Sequence, residues 1–468
     1  MRLLPALALF LALPVLAESP YRDLRRPPLQ RPYKSLVIEW ISQEPKNKVT
    51  KDGDASGPAD GQSLSYTAHL RNLGSVNTEP VMVRWFVDGV QKSTATIPGM
   101  GAGQRSTAVF AWTADEGRHW IQCELLGHEE WLTIATDGLT VKVWVEKKTL
   151  AKYEDEFGSF ARRFQDSVAG LHASWSAVRD ARFAPEGIDE RLRVDDVAVY
   201  ERGGKDAEVP KEFWDHPDFD LEVACDQGGP VAGFYIPGYS IGHNYAGNPG
   251  HESLFSDWGE NCLWHEIGHF RGVQDFYLFP TKAGDVGKLD AAGNPLPLLT
   301  LRPEFADDTM NSPYKATWWS EYTTAVIRMK RGVSRVGRCE DPANTFGHMW
   351  RHVPAKVEIQ VIGEEGKPVK YAEVEVYRPV RGEDGRARVA KDAKPLSEGR
   401  VDEVGFFDLG EDPFGKRKAE ASRAPWVLVV IKREGAIRAR YLTLMDMNLA
   451  YWKDQKERAI FRLVWDKE

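Results

Sequence analysis

The sequence predicts a multidomain chain in which a β-sandwich is followed by an α+β domain and then by a second β-sandwich. Three observations carry this. The chain has 468 residues, more than one hydrophobic core supports, so roughly two to four domains are expected. Apolar residues alternate with period two from about Ser35 and again from Lys356, as in half-buried strands. Between these regions, from about Lys147, they recur at threes and fours, as on one face of a helix.

Composition narrows the class. Hydrophobic content of 42% and charged content of 28% are those of ordinary globular protein. A net charge of -8, from 61 basic and 69 acidic residues, leaves no electrostatic footprint for nucleic acid or an anionic membrane. The opening "MRLLPALALFLALPVLAESP" has Arg2, an apolar run and a Val15-Leu16-Ala17 ending, the layout of a secretory signal peptide over 1–17. That run falls short of the roughly 20 residues a membrane-spanning helix needs. No transmembrane segment is expected, and the mature protein is expected to be secreted or periplasmic. Residues 18–34, rich in proline and arginine, read as an extended linker. Export permits disulfides. The four cysteines, Cys123, Cys225, Cys262 and Cys339, contain no CxxC and leave the pairing open.

The first sandwich is expected over 35–146. In "LSYTAHL", Leu64, Tyr66, Ala68 and Leu70 alternate with polar residues. "VMVRWFVDG" ends in Asp88-Gly89, a strong hairpin turn. "STAVFAW", "DEGRHWIQCEL" and "LTVKVWV" supply further short strands at regular spacing. Asn72-Leu73-Gly74, Val87-Asp88-Gly89, Ala102-Gly103 and Gly117 follow in an order that resembles the cell-adhesion-related domain of bacteria, CARDB. The resemblance implies an immunoglobulin-like sandwich with a spacer or adhesion role, and a cell-surface or extracellular-matrix partner. It implies no chemistry.

The middle domain is expected over 147–353. Phe157, Phe160, Phe164, Val168 and Leu171 mark a helical face. "RLRVDDVAVY" and "VAGFYIPG" read as strands, and "GYSIGHNYAGNPGHES", with His243 and His251, as a glycine-rich loop. Over 354–468 the segments "KVEIQVIGEEGKPVKYAEVEVYR", "GRVDEVGFFDLG", "PWVLVVIKREG" and "ERAIFRLVW" predict the second sandwich. Its pattern resembles small bacterial surface sandwiches of the carboxypeptidase-regulatory or collagen-adhesin type, again immunoglobulin-like.

The chemistry lies in "HEIGHFRGVQD". His265 and His269 are four residues apart and project from one helical face. Asp257 and Glu260 are placed to cap the helix as a capping box. Gly272 can take the left-handed conformation that ends a helix and reverses the chain, which would return Asp275 as a third ligand. Two imidazoles and a carboxylate leave one position of a tetrahedral zinc open for water. Bound zinc lowers the pKa of its water toward about 7, and Glu266 is the natural general base. The competing reading is a histidine pair on an ordinary helix.

The extended motif resembles the metzincin clan of zinc peptidases, in its form with aspartate as third ligand. That resemblance implies endopeptidase cleavage of extracellular protein or peptide, and a methionine turn beneath the metal. "FADDTMNSPY" offers Met310, 35 residues after Asp275, with Tyr314 read as a packing residue. Glu321 in "WWSEYTTAVIRMK" suits the other large zinc-peptidase geometry and stands as the alternative third ligand. Cys262, one turn before His265, could touch the site, though such a cysteine is more often buried or bridged. The motif defines the attacking water and not the substrate. Cell-wall or glycan amides, or a binding protein with a vestigial metal site, are therefore the rival functions.

Overall fold

The computed structural model describes residues 35–47, 57–201, 218–226, 233–235, 240–244, 254–276, 286–297, 308–311, 318–333, 351–381, 387–411, 413–414 and 426–465. The signal peptide, the linker, His251, Tyr314 and Cys339 lie outside them.

Seven strands build the first unit: β1 (Leu36–Glu44), β2 (Ser63–Asn72), β3 (Val81–Val87), β4 (Val90–Ile97), β5 (Arg105–Thr113), β6 (Trp120–Leu125) and β7 (Glu130–Ala135). One sheet runs β1-β2-β5 and the other β4-β3-β6-β7. The alternation in β2 is real, for Leu64, Tyr66, Ala68 and Leu70 are all buried in the core between the sheets. The β3–β4 hairpin turns on Asp88 and Gly89, both at positive φ (51° and 75°), as a two-residue turn with right-handed strand twist requires.

The middle unit is a five-stranded mixed sheet with helices. Its strands are β8 (Leu139–Glu146), β9 (Leu192–Tyr200), β10 (Leu221–Asp226), β11 (Gly233–Tyr235) and β12 (Ser240–Asn244), in the order β11-β12-β10-β8-β9. All pairings are parallel except the antiparallel edge strand β11. β8 corrects the expected boundary at 146/147, since it pairs with β9 and β10 and not with the sandwich. Its eight residues are all buried. A central strand covered on both faces has no solvent side to mark it as belonging to the middle unit. "SIGHN", read as loop with His243, is likewise strand, held parallel to β10.

Two helices join β8 to β9. These are α1 (Lys147–Phe157) and α2 (Phe160–Ala177), broken at Gly158 with φ 88°. The hydroxyl of Ser159 caps α2 by accepting from Arg162 N, and it donates to Glu39 Oε1 at 2.5 Å. Phe160, Phe164, Val168 and Leu171 face the core. The site helix α3 spans Asp257–Phe270 and α4 spans Glu321–Met329.

The last unit has β13 (Lys356–Gly363), β14 (Glu373–Tyr377), β15 (Val380–Arg381), β16 (Ala387–Arg388), β17 (Ser397–Arg400), β18 (Phe406–Gly410), β19 (Trp426–Arg433), β20 (Ala436–Thr443) and β21 (Arg458–Trp465). Sheets β18-β13-β21 and β17-β14-β19-β20 bury their apolar residues in one cluster. Between β20 and β21 lies α5 (Leu444–Trp452), which the period-two reading missed. The expected boundary at 353/354 is not a break in the core. One apolar cluster runs from the middle sheet to Trp465, and Tyr322 of α4 stacks on Trp452 of α5 at 5.6 Å.

The first sandwich keeps its own core but docks through buried polar ties. Arg162 pairs with Glu130 at 3.2 Å, with both side chains buried, and Gln43 N donates to Asp195 Oδ1 at 2.9 Å. Arg162→Ala would remove the cation that faces buried Glu130 and leave its charge supported by hydrogen bonds such as that from Ile38 N at 2.9 Å, a loss of roughly 3 kcal/mol. A lower melting temperature with faster proteolysis at the sandwich junction is the expected result.

Candidate metal centre

The site is built on α3. Ser256, and not Asp257, is its N-cap, accepting from Gly259 N at 3.1 Å. The expected capping box does not form, because Glu260 reaches the buried Arg163 at 2.5 Å instead. The helix ends as expected. Gly272 has φ 86°, Gly272 N donates to His269 O at 2.9 Å and Val273 N to Gly268 O at 3.0 Å. This is the paired 5→2 and 6→1 bonding of a Schellman turn. A β-carbon at Gly272 would be strained, so Gly272→Ala is expected to cost about 1 kcal/mol. It should also weaken metal binding, read by competition with a fluorescent chelator.

The reversal brings Asp275 back over the helix. Its Oδ1 lies 3.1 Å from His265 Nε2 and 3.0 Å from His269 Nε2. The three ligand-type atoms lie within 4.8 Å of one another, and no other such group occurs among the described residues. Zinc with bonds near 2.0–2.1 Å would set tetrahedral edges of about 3.3 Å, close to the two histidine–Asp275 separations. Asp275 Oδ1 is buried between the two rings.

Both rings are oriented from behind. His265 Nδ1 lies 2.9 Å from Thr309 O and His269 Nδ1 lies 2.7 Å from Val273 O. A carbonyl only accepts, so each Nδ1 carries the hydrogen. Nε2 is thereby the nitrogen that faces the centre, and once the ring is neutral it offers its lone pair there, as a metal ligand does. Burial alone would lower the pKa of His269. The Asp275 carboxylate outweighs it, with help from Glu266, and holds the group at about 9. The same histidines hold Asp275 well below the usual carboxylate range against its own burial.

Met310 closes the floor. It is fully buried, and its sulfur lies so close to Gly268 that a β-carbon there would overlap it. Gly268→Ala is therefore expected to displace Met310 and to reduce metal affinity about tenfold or more, measured by chelator competition. The turn is anchored by Asp308, whose carboxylate accepts from Met310 N (2.6 Å), Ser320 N (2.6 Å) and Thr323 Oγ1 (2.9 Å). Thr309 N donates to Trp318 O at 2.9 Å. Phe276 N donates to Met310 O at 3.0 Å, which ties the chain just past Asp275 to the same turn.

The alternative third ligand is engaged elsewhere. Glu321 is the first residue of α4 and pairs with Lys453 at 2.6 Å. Cys262 is buried, and among the described cysteines, Cys123, Cys225 and Cys262, no disulfide forms. Glu266 is buried on α3 beside His265, close enough for its charge to act on His269. Sequence reasoning missed Asp308, Thr309 and Ser256, whose partners are distant in the chain or need the backbone geometry to be seen.

Comparison with known proteins bears on the first sandwich. Residues 48–125 match the CARDB family. The first sandwich is a CARDB domain. A Pyrococcus furiosus CARDB domain, solved in complex with di-metal ions, is 18% identical, covering 25% of this chain and 95% of its own at a TM-score of 0.17. A domain assigned to a cell surface protein of Methanosarcina acetivorans is 19% identical, covering 22% and 89% at a TM-score of 0.17. A Paenibacillus cycloisomaltooligosaccharide glucanotransferase is 20% identical, covering 22% and 16% at a TM-score of 0.14. No curated protein matches the chain significantly. No helix among the described residues is long and apolar enough to cross a membrane.

Proposed function

We propose that the chain is an exported zinc-dependent hydrolase, a metalloendopeptidase acting on extracellular protein, in which the CARDB domain and the C-terminal sandwich carry the catalytic unit at a surface. One observation supports this most. Both Nδ1 atoms are committed to backbone carbonyls while both Nε2 atoms meet the Asp275 carboxylate. His265, His269 and Asp275 would hold the zinc. When bound there, zinc lowers the pKa of a coordinated water toward about 7 and polarises a carbonyl. Glu266, buried beside His265, takes the proton from the attacking water and returns it to the leaving amine. Met310 supports the floor. A surface-binding role without catalysis is the second reading, favoured by the CARDB match alone.

The test is metal content and casein cleavage by the purified protein. One zinc per chain is expected, lost in His269→Ala, with cleavage abolished by a chelator and restored by stoichiometric zinc. A metal-free wild type, or cleavage that survives His269→Ala, would sink the reading. Zinc uptake also has a pH sign. In the metal-free protein His269 holds a proton up to about pH 9, and the ligand must be neutral. Apparent zinc affinity should rise with pH toward 9, with proton release at pH 7. The stability that the His269–Asp275 pair adds to the metal-free protein is full below the ordinary histidine value. It is lost as the pH passes 9.

A further inference from the structure

We propose that the buried pair Glu190–Arg271 is the positioning device that sets Asp275 against the two histidines, an inference that rests on the zinc reading above. Arg271 is the C-cap of α3, directly before Gly272 and four residues before Asp275. An arginine at a helix end ordinarily reaches into solvent beside the last carbonyls. This one is fully buried. One terminal nitrogen donates to Val333 O at 3.1 Å. The other pairs with Glu190 Oε2 at 3.0 Å and donates to Lys330 O. Glu190 is equally buried, and its Oε2 also accepts from Gly332 N at 3.3 Å.

Three segments distant in sequence thus meet on one planar guanidinium. They are the chain entering β9, the end of α4 with its following turn, and the end of the site helix. The Schellman turn sets the direction in which the chain leaves α3. Arg271 sets where that turn sits relative to the body of the domain. Downstream, Phe276 N is held by Met310 O. Asp275 is therefore suspended between two fixed points, the Arg271 anchor and the methionine turn. Metal ligands depend on such outer partners, and losing one typically costs 10–100-fold in affinity. A buried charge pair is a poor source of stability but can specify a geometry, and here the geometry specified is that of the third ligand.

The test is zinc affinity by chelator competition in full-length wild type, Glu190→Gln, Asp275→Ala and the double variant. Glu190→Gln keeps shape but removes the charge opposite Arg271. It is expected to weaken zinc binding about 10–100-fold, with the far-ultraviolet circular dichroism of the metal-free protein retained. If Glu190 acts through Asp275, the double variant binds no more weakly than Asp275→Ala alone. A general loss of stability would instead add to it. Unchanged affinity in Glu190→Gln, or full additivity in the double variant, overturns the proposal while leaving the zinc reading intact. A wild type that takes up no zinc overturns both. If Glu190→Gln yields no soluble protein, Arg271→Lys decides by the same cycle, since an ammonium cannot span Glu190, Lys330 and Val333 together.

Discussion

Glu266→Gln is expected to retain one zinc per chain and to lose casein hydrolysis by about a thousandfold or more. General acid–base groups typically contribute 10²–10⁴-fold, and in the proposed mechanism one carboxylate serves both the attacking water and the leaving amine. The change is nearly isosteric, and Glu266 is not among the three residues whose ligand atoms converge. Metal content should therefore stay unchanged while kcat falls. Two measurements on one sample check this: zinc by atomic absorption and cleavage by fluorescent casein. If cleavage survives with zinc bound, Glu266 is not the base and the hydrolase mechanism fails. If both the wild type and the variant bind zinc and neither cleaves protein or cell-wall amides, the surface-binding role is the better account.

Asp308→Ala is expected to have the largest effect on stability of any single change near the centre. The carboxylate is fully buried and gathers two backbone N–H groups and the Thr323 hydroxyl. Burial pushes its pKa above the ordinary aspartate value even though these donors oppose that shift. Removing the acceptor strands three donors, each worth about 1–3 kcal/mol when left unsatisfied in the interior. Partial relaxation brings the expected total to roughly 3–5 kcal/mol. The loss should also reach the metal. Met310 N is one of the donors, and Thr309, whose carbonyl orients His265, lies between Asp308 and Met310. A thermal melt and a zinc titration should therefore both shift in this variant. A melt unchanged within about 1 kcal/mol would mean that the turn stands without Asp308.

The centre was unusually legible because its residues are close in sequence. His265, Glu266, His269 and Asp275 span eleven positions, so helical periodicity and one glycine turn suffice to bring them together. Met310 was legible only through a resemblance. The cap was misread because a distant residue took the partner it needed. Ser256 and Asp257 are both good N-caps, and the pull of buried Arg163 on Glu260 removed the partner that a capping box at Asp257 needs. β8 was misassigned because "LTVKVWVE" alternates in sequence although every residue is buried in the structure. Lys142 and Glu146 are accommodated there by Asp196 and by the N-cap of α1. The helix α5 was missed because its neighbours on both sides are strands.

The amino-acid order alone determined what is short-range. It set the strand periods of the two sandwiches, the helix that carries the histidines, the turn at Gly272 and hence which three side chains come together as the candidate ligands. The tertiary structure decided what is long-range. It took β8 into the mixed sheet, joined the middle unit to the C-terminal sandwich through one core, docked the CARDB domain on buried polar ties, and placed Glu321 on Lys453. It also supplied the atoms that orient the site: Thr309 O, the Asp308 carboxylate and the Glu190–Arg271 pair. The physical reason is that hydrogen-bond and ion-pair partners tens of residues away leave no periodic trace in a sequence. A helical face and a reversing glycine do, because backbone geometry sets their spacing.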